Sequence, residues 1–174
     1  MSLRARAELG LHDHSRLCPT AYADFLGVVL LDFDRLDLGD GHRQQLITVD
    51  PESWSGMTIR EGNATAILIN PAHSEVRQRS TLSHELAHGL LNHVPARVDI
   101  SPTGLMLLSD YSDDQEAEAD WLGAALLVPR EALLARRKSG ESVDGIADAF
   151  GVSSVLCQWR LRMTGVEQQL HRRR

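Results

Sequence analysis

Aromatic residues make up only 5% of the 174-residue sequence, so a folded core has to rely on aliphatic side chains and close helix contacts. Only two cysteines are present, Cys18 and Cys157, and they form no CxxC pair. This pattern predicts two reduced thiols rather than a disulfide framework. No apolar run approaches the ~18 residues that a membrane span needs, and the first residues lack the apolar stretch of a signal peptide. We therefore expect a cytoplasmic protein with no membrane contact.

Acidic residues outnumber basic ones, with 24 Asp and Glu against 18 Lys and Arg and a net charge of −6. A protein that coats nucleic acid through bulk electrostatics is therefore not expected. The charge is unevenly distributed, because 130–174 carries 9 basic and 5 acidic residues, whereas 1–129 carries 9 and 19. Binding of an anionic partner by the basic segment therefore remains an alternative. With 43% hydrophobic residues, the chain suits one globular domain, alone or with a small appendage.

Strand-type and helix-type patterns occupy different parts of the chain. Aliphatic and β-branched runs predict three strands, the first of them buried, at 28–33, 46–49 and 64–70. Between the first two strands, an Asp- and Gly-rich segment predicts a loop at 34–44. Amphipathic spacing and Pro or Gly boundaries predict helices at 20–26, 74–91, 113–128, 130–138, 143–150 and 153–163. A loop of about 18 residues begins at Pro95 and is long enough to be functional.

The segment around His84 has the pattern HExxH on a predicted helix. His84 and His88 are four residues apart, so both imidazoles project from one face and can bind one ion. Glu85 is rotated by about 100° from His84, which puts its carboxylate beside the ion, where it can polarise a water. The opposite, core-facing stripe consists of Leu82, Leu86 and Leu90. Chance gives roughly 0.02 such motifs at this composition, so the motif alone is moderate evidence against two merely solvated histidines.

A third ligand is needed, because catalytic zinc usually takes three protein ligands and leaves a fourth position for water. The downstream helix offers Glu116 as that ligand and Asp120, on the same face, as an acceptor for the free N–H of a histidine. Glu118 points about 200° away from Glu116. The alternative is a solvated acidic helix start. It is disfavoured because 121–128 is apolar and a buried carboxylate needs a partner.

The order and separation of these blocks resemble the ImmA/IrrE family of metallopeptidases over about residues 20–165. The resemblance is carried by 67–70, 77–91 and 116–129, with a similar helical part at 146–161. It implies an α+β, zincin-like fold, in which a small three-stranded or larger mixed sheet packs on the active-site helix. We expect a metallopeptidase domain at 1–138 and a helical, helix-turn-helix-like segment at 139–174 that packs on or extends the core.

The resemblance also implies roles for individual residues. His84, His88 and Glu116 stand where the family places its metal ligands, and Glu85 stands where it places the general base. The implied activity is zinc-dependent proteolysis of a protein substrate, often a DNA-binding transcriptional repressor cleaved in a stress or mobile-element response. Two departures from the family, Ser80 and Trp121 where phenylalanine is expected in many members, are packing changes.

Several details stay open at this point. Tyr111 and His93 are the candidates for stabilising the oxyanion of the transition state. The strand at 66–70 is expected to be a sheet edge that pairs with an extended substrate. Two histidines and a carboxylate do not select zinc strictly, so Mn²⁺ or iron is an alternative ion.

Two other classes of protein also remain open. One is a toxin or partner-binding module with a structural zinc site, which has no open position for water. The other is a DNA-binding regulator that uses the helix pair at 143–163, with Arg160 on its second helix. DNA binding by the chain is the less favoured hypothesis, because the overall charge is acidic and a lone helix pair is a weak signal.

Overall fold

The computed structural model of the chain describes residues 1–94, 97–100, 106–109 and 111–172. Within these ranges the helices are α1 Ser2–Glu8, α2 Pro19–Phe25, α3 Asp40–Gln44, α4 Glu75–Leu91, α5 Asp113–Leu127, α6 Arg130–Lys138, α7 Val143–Phe150, α8 Ser154–Thr164 and α9 Val166–His171. The strands are β1 Val29–Leu31, β2 Gly56–Glu61, β3 Ala64–Ile69, β4 Arg97–Ile100 and β5 Met106–Ser109. The predicted α+β class is confirmed.

One mixed sheet contains all the described strands, in the order β1-β3-β2-β5-β4. β1 runs parallel to β3, and the other neighbouring pairs are antiparallel. β2 and β3 form a hairpin in which Thr58 lies opposite Ile67. Gly62 adopts a φ of 57° in the turn between them, a backbone conformation that suits glycine. α4 packs against both strands of this hairpin, so the HExxH segment lies beside the centre of the sheet.

The strand predictions are only partly correct. The predicted strand at 64–70 is confirmed as β3, but the run at 28–33 supplies only the short edge strand β1. Val29 in β1 is 53% exposed, because an edge strand has a neighbour on one side only. The predicted strand at 46–49 is wrong. Residues Gln45–Val49 form a π-helical turn that continues α3, and the Trp54 indole N–H donates to the Leu46 carbonyl at 3.0 Å.

Other elements lie where loops were expected. α3 occupies part of the predicted loop at 34–44. β4 and β5 lie within the loop predicted from Pro95, of which 95–96, 101–105 and 110 lie outside the described residues. β2 was not among the predicted strands, although it alternates apolar and polar residues over 57–60, and its buried residue is the polar Thr58. The place of β2 between β3 and β5 depends on antiparallel pairing with both strands, and only the partners in β5 are far away in the chain.

The predicted helices are confirmed to within one or two residues, and their ends have local causes. α4 ends at Asn92, which adopts a left-handed φ of 56°. α5 begins after Ser112, whose side chain accepts from the Gln115 N–H while Gln115 accepts from the Ser112 N–H. The N-cap of α5 is therefore Ser112. Pro129 ends α5, because the residue before a proline is disfavoured in a helix.

Two apolar clusters divide the core. The first joins α4 and α5 to α2 and β3, with members such as Tyr22, Ile67, Leu86 and Leu126. The second joins the end of α5 to α6–α9. Its fully buried members include Leu133 and Ile146, which lie on either side of the expected boundary at 138/139. The division of the chain into 1–138 and 139–174 stays a prediction.

Among the described residues, no helix combines the length and the apolar character that crossing a lipid bilayer requires.

Candidate metal centre

Two imidazoles of α4 and one carboxylate of α5 converge on a single point. His84 Nε2 lies 2.9 Å from His88 Nε2. The Glu116 carboxylate oxygens lie 3.2 Å from His84 Nε2 and 3.6 Å from His88 Nε2. One ligand atom from each of these residues lies within 4.8 Å of the other two. The i, i+4 spacing brings the histidines together, and the packing of α5 on α4 adds the carboxylate.

The other ring nitrogen of each histidine faces away from this point. His84 Nδ1 lies 2.9 Å from Asp120 Oδ1. His88 Nδ1 lies 3.0 Å from His93 Nδ1, and His93 Nε2 lies 3.1 Å from Glu118 Oε2. An ionised carboxylate only accepts hydrogen bonds, so the partners assign the protons to His84 Nδ1 and His93 Nε2. His93 Nδ1 is then an acceptor, and the proton of His88 is on Nδ1.

This proton arrangement fits a metal ion. His84 and His88 then present unprotonated Nε2 atoms to each other and to the Glu116 carboxylate. Acceptors facing one another without a proton between them repel, and a divalent cation at their centre removes that repulsion. Neutral imidazole is also the form of histidine that binds metals. Burial, followed by the electrostatic effect of the neighbouring imidazoles of His84 and His93, lowers the pKa of His88 to about 4 and so favours the neutral ring.

Glu85 lies beside this cluster and is held by β2. Thr58 Oγ1 donates a hydrogen bond of 2.6 Å to Glu85 Oε2. Burial raises the pKa of Glu85 and the charge of Glu116 raises it further, while the Thr58 hydrogen bond and His84 oppose the rise. A carboxyl group with a raised pKa, fixed at one oxygen and placed next to a cation site, is suited to proton transfer.

Comparison of the sequence with protein-family models identifies the family of this chain. The model described as Peptidase_M78, IrrE N-terminal-like domain, matches residues 52–162, well over half of the chain and including the whole cluster. The chain belongs to this family. The resemblance to ImmA/IrrE proteins is thereby confirmed. No curated protein and no solved structure matches the chain. Membership of Peptidase_M78, with a side-chain cluster suited to a metal ion, supports a hydrolase of the metallopeptidase type.

A cavity of about 210 Å³ adjoins the metal centre of this Peptidase_M78 domain. Its apolar lining includes Leu26, Val28, Ile67, Leu86 and Leu90. Its polar lining includes Thr58, Arg60, Glu85, His88 and Tyr111. The carboxylate of Glu85 therefore faces a space that is large enough for one side chain of a peptide.

The two candidates for transition-state stabilisation have different surroundings. The Tyr111 ring stacks on His88, with centroids 3.8 Å apart and planes 27° apart. Burial, then the charge of Glu85, raises the pKa of Tyr111, so the phenol keeps its proton and remains a donor. Both ring nitrogens of His93 are within hydrogen-bond distance of His88 and Glu118. The geometry therefore favours Tyr111 over His93 as a donor to substrate.

The prediction that the strand at 66–70 is a sheet edge, open to pairing with a substrate, is wrong. β3, which contains most of 66–70, lies between β1 and β2 and has no open edge. In the described part of the sheet, the edge strands are β1 and β4.

Two contacts of the site were not anticipated from the sequence. Thr58 lies on β2, which was not among the predicted strands, and its contact with Glu85 joins residues 27 positions apart in the chain. The Glu118 side chain points away from Glu116, as predicted, and there it contacts the His93 ring. His93 reaches that place because the chain reverses at Asn92, and a single left-handed residue is not evident from helical periodicity.

Proposed function

We propose that this chain is a zinc-dependent endopeptidase that cleaves a protein substrate. The observation that carries the proposal is the convergence of His84 Nε2, His88 Nε2 and the Glu116 carboxylate, each nitrogen facing inward because its ring partner is engaged. Two imidazoles and one carboxylate form a common ligand set of catalytic zinc in peptidases. His84, His88 and Glu116 would hold the zinc ion, which would supply Lewis-acid polarisation of a carbonyl and a water that is nucleophilic at neutral pH.

Three side chains carry out the remaining steps: proton transfer, positioning of the base and stabilisation of the oxyanion. Glu85 Oε1, the oxygen that Thr58 does not contact, takes a proton from the attacking water as the water oxygen bonds to the carbonyl carbon. The same carboxyl group then delivers that proton to the leaving nitrogen as the carbon–nitrogen bond breaks. Thr58 holds the carboxylate in place through its 2.6 Å hydrogen bond. Tyr111 donates to the oxygen that becomes negatively charged.

The substrate we propose is a DNA-binding transcriptional repressor, in line with the resemblance to ImmA/IrrE proteins. We also place the reaction in the cytoplasm, where repressors act and where Cys18 and Cys157 stay reduced. The cavity of about 210 Å³ next to Glu85 supports a peptide substrate, because it gives room to a side chain flanking the scissile bond.

The alternative functions have less support. A structural zinc site usually has four protein ligands, whereas the cluster among the described residues has three. A DNA reader that used Arg160 would need that side chain at the surface. Arg160 is 2% exposed, and its Nε–H donates to the Val128 carbonyl at 3.3 Å.

The test compares Glu85→Gln with Glu75→Gln, an exposed glutamate at the start of the same helix. Each purified, zinc-loaded protein is incubated with host lysate and with repressors of the host, and new N-termini are identified by mass spectrometry. We expect Glu85→Gln to retain zinc and to lose 10²–10⁴-fold in cleavage rate. Glu75→Gln should cleave like the wild type.

Two results would contradict the proposal. One is normal cleavage by Glu85→Gln with zinc bound. The other is the absence of any zinc-dependent new N-terminus with the wild type. If the cleaved proteins carry no DNA-binding domain, the endopeptidase proposal stands and the repressor proposal is wrong. Loading with Zn²⁺, Mn²⁺ and Fe²⁺ in parallel identifies the ion that supports turnover.

A further inference from the structure

The contacts around His93 form a chain that ends at a metal-facing nitrogen. Asn92 reverses the backbone, the His93 N–H donates to the His88 carbonyl at 3.0 Å, and the His93 side chain folds back beneath His88. The side chains of His88 and His93 are only 3% and 5% exposed. Two buried imidazoles in contact require a defined proton arrangement, because each ring has one donor and one acceptor when neutral.

Glu118 sets that arrangement. Its Oε2 lies 3.1 Å from His93 Nε2, and a carboxylate only accepts, so His93 carries its proton on Nε2. His93 Nδ1 then accepts from His88 Nδ1 at 3.0 Å. The result is that His88 Nε2 keeps its lone pair on the side of His84 and Glu116.

We propose that Glu118 and His93 are positioning residues that hold His88 in the ring orientation and tautomer required for binding the metal ion. This inference rests on the metal site of the proposed function. Neither residue touches the ion or substrate. They act through His88, as a carboxylate behind a metal-bound histidine does when it accepts the outer N–H directly.

The two histidine ligands are thus supported in different ways by one helix. Asp120 on α5 contacts His84 directly at 2.9 Å. Glu118 on the same helix faces another direction and reaches the buried His88 only through the His93 ring. α5 thus supplies three carboxylates to the site. Glu116 faces the ion position, Asp120 supports His84, and Glu118 supports His88 through His93. The Tyr111 ring, stacked on His88, further restricts rotation of that imidazole.

The test measures zinc affinity rather than turnover. The dissociation constant of the full chain is determined by competition with a chromophoric chelator for His93→Phe, His93→Gln and Glu118→Ala. Phenylalanine fills the space of the ring without hydrogen bonds, and we expect it to weaken zinc binding by 10–100-fold. Glutamine can accept from His88 and donate to Glu118, so it should recover most of the affinity. Glu118 is 66% exposed, and we expect its loss to cost about 10-fold, the lower end of that range.

The matched control is Asp114→Ala, which removes an exposed carboxylate one helical turn before Glu118 on α5 and should leave the affinity within twofold. The visible spectrum of each Co²⁺-loaded variant reports the geometry at the ion. We expect the Co²⁺ spectrum of His93→Phe to differ from that of the wild type, and the spectrum of His93→Gln to match it. Circular dichroism of the metal-free proteins establishes folding, and Glu118→Ala, at an exposed position, decides the matter if His93→Phe does not fold.

The outcomes separate this inference from the proposed function. If Glu118→Ala binds zinc as tightly as Asp114→Ala and gives the same Co²⁺ spectrum, the positioning role of Glu118 is wrong while the peptidase proposal stands. If His93→Gln is as weak as His93→Phe, the hydrogen-bond basis of the inference is wrong. If the wild type binds no zinc, the proposed function itself fails.

Discussion

At the scale of single residues, hydrogen-bond partners determine what each ionisable group can do. His84 and His88 belong to one motif, yet one is supported by a carboxylate directly and the other through a second imidazole. Glu85 is fixed by Thr58, which leaves its other oxygen for proton transfer. Histidine and glutamate positions along a helix were sufficient to propose the ligands. The partners that orient them come from other elements.

The two cysteines give a residue-scale prediction that does not depend on the metal. Cys18 is exposed, and its hydrogen bond with Thr20 lowers the pKa of its thiol. Cys157 is buried, and burial raises the pKa of its thiol to about 11. Because the thiolate is the reactive form, we expect iodoacetamide at pH 8 to alkylate Cys18 at least ~100-fold faster than Cys157 in the native protein.

Peptide mass spectrometry over a time course measures both rates. In denaturant the two rates should become similar, since burial and the Thr20 contact are lost. Equal rates in the native protein would contradict the burial of Cys157.

At the scale of elements, the site depends on how closely α5 approaches α4. A Cβ atom on Gly123 would lie 3.1 Å from the backbone of His84 and Ser83, so glycine permits the close contact of the two helices. That contact places Glu116, two turns earlier on α5, opposite the histidines. The spacing of Glu116 and Asp120 showed which face of α5 is involved. The approach distance between the helices has no local sequence signal.

The prediction at this scale concerns Gly123→Ala. The added methyl group meets backbone atoms that cannot rotate away, so we expect a loss of about 1–3 kcal/mol in the free energy of unfolding. Zinc affinity should also fall, because a shift of α5 moves Glu116. Chemical denaturation and the chelator competition measure the two effects.

Gly89→Ala is the matched control within α4. Nothing lies within 4 Å of a Cβ atom at Gly89, so alanine there should stabilise the helix by up to about 1 kcal/mol. A Gly123→Ala protein as stable as Gly89→Ala would contradict the close helix contact.

At the scale of the whole molecule, α6–α9 share an apolar cluster with the end of α5. Arg160 on α8 is part of this packing. Its guanidinium lies 5.2 Å from the centre of the Trp121 ring, and its Nε–H donates to Val128. Burial lowers the pKa of Arg160 to about 10. The helix pair predicted at 143–163 is confirmed as α7 and α8, but Arg160, which a DNA-reading helix would present at its surface, lies in the interior.

We therefore expect Arg160→Ala to act on stability. Loss of the buried hydrogen bond and of the contact with Trp121 should cost about 2 kcal/mol, or roughly 4–8 °C in Tm. Arg162→Ala, at an exposed position two residues later, should change the free energy of unfolding by less than ~0.5 kcal/mol. Thermal melts of the two variants measure the difference, and equal melting temperatures would contradict the burial of Arg160.

The sequence by itself determined the features that repeat along a helix: the extents of α4 and α5, the shared face of His84 and His88, and the common side of Glu116 and Asp120. These follow from a rise and rotation per residue that neighbours along the chain impose. Only the tertiary structure decided that 45–49 is helical, that β2 lies beside β3 and β5, that His93 connects Glu118 to His88, and that Arg160 is buried. These features depend on strand pairing and on side-chain contacts that helical periodicity does not contain, and their free energy exists only once the elements have packed.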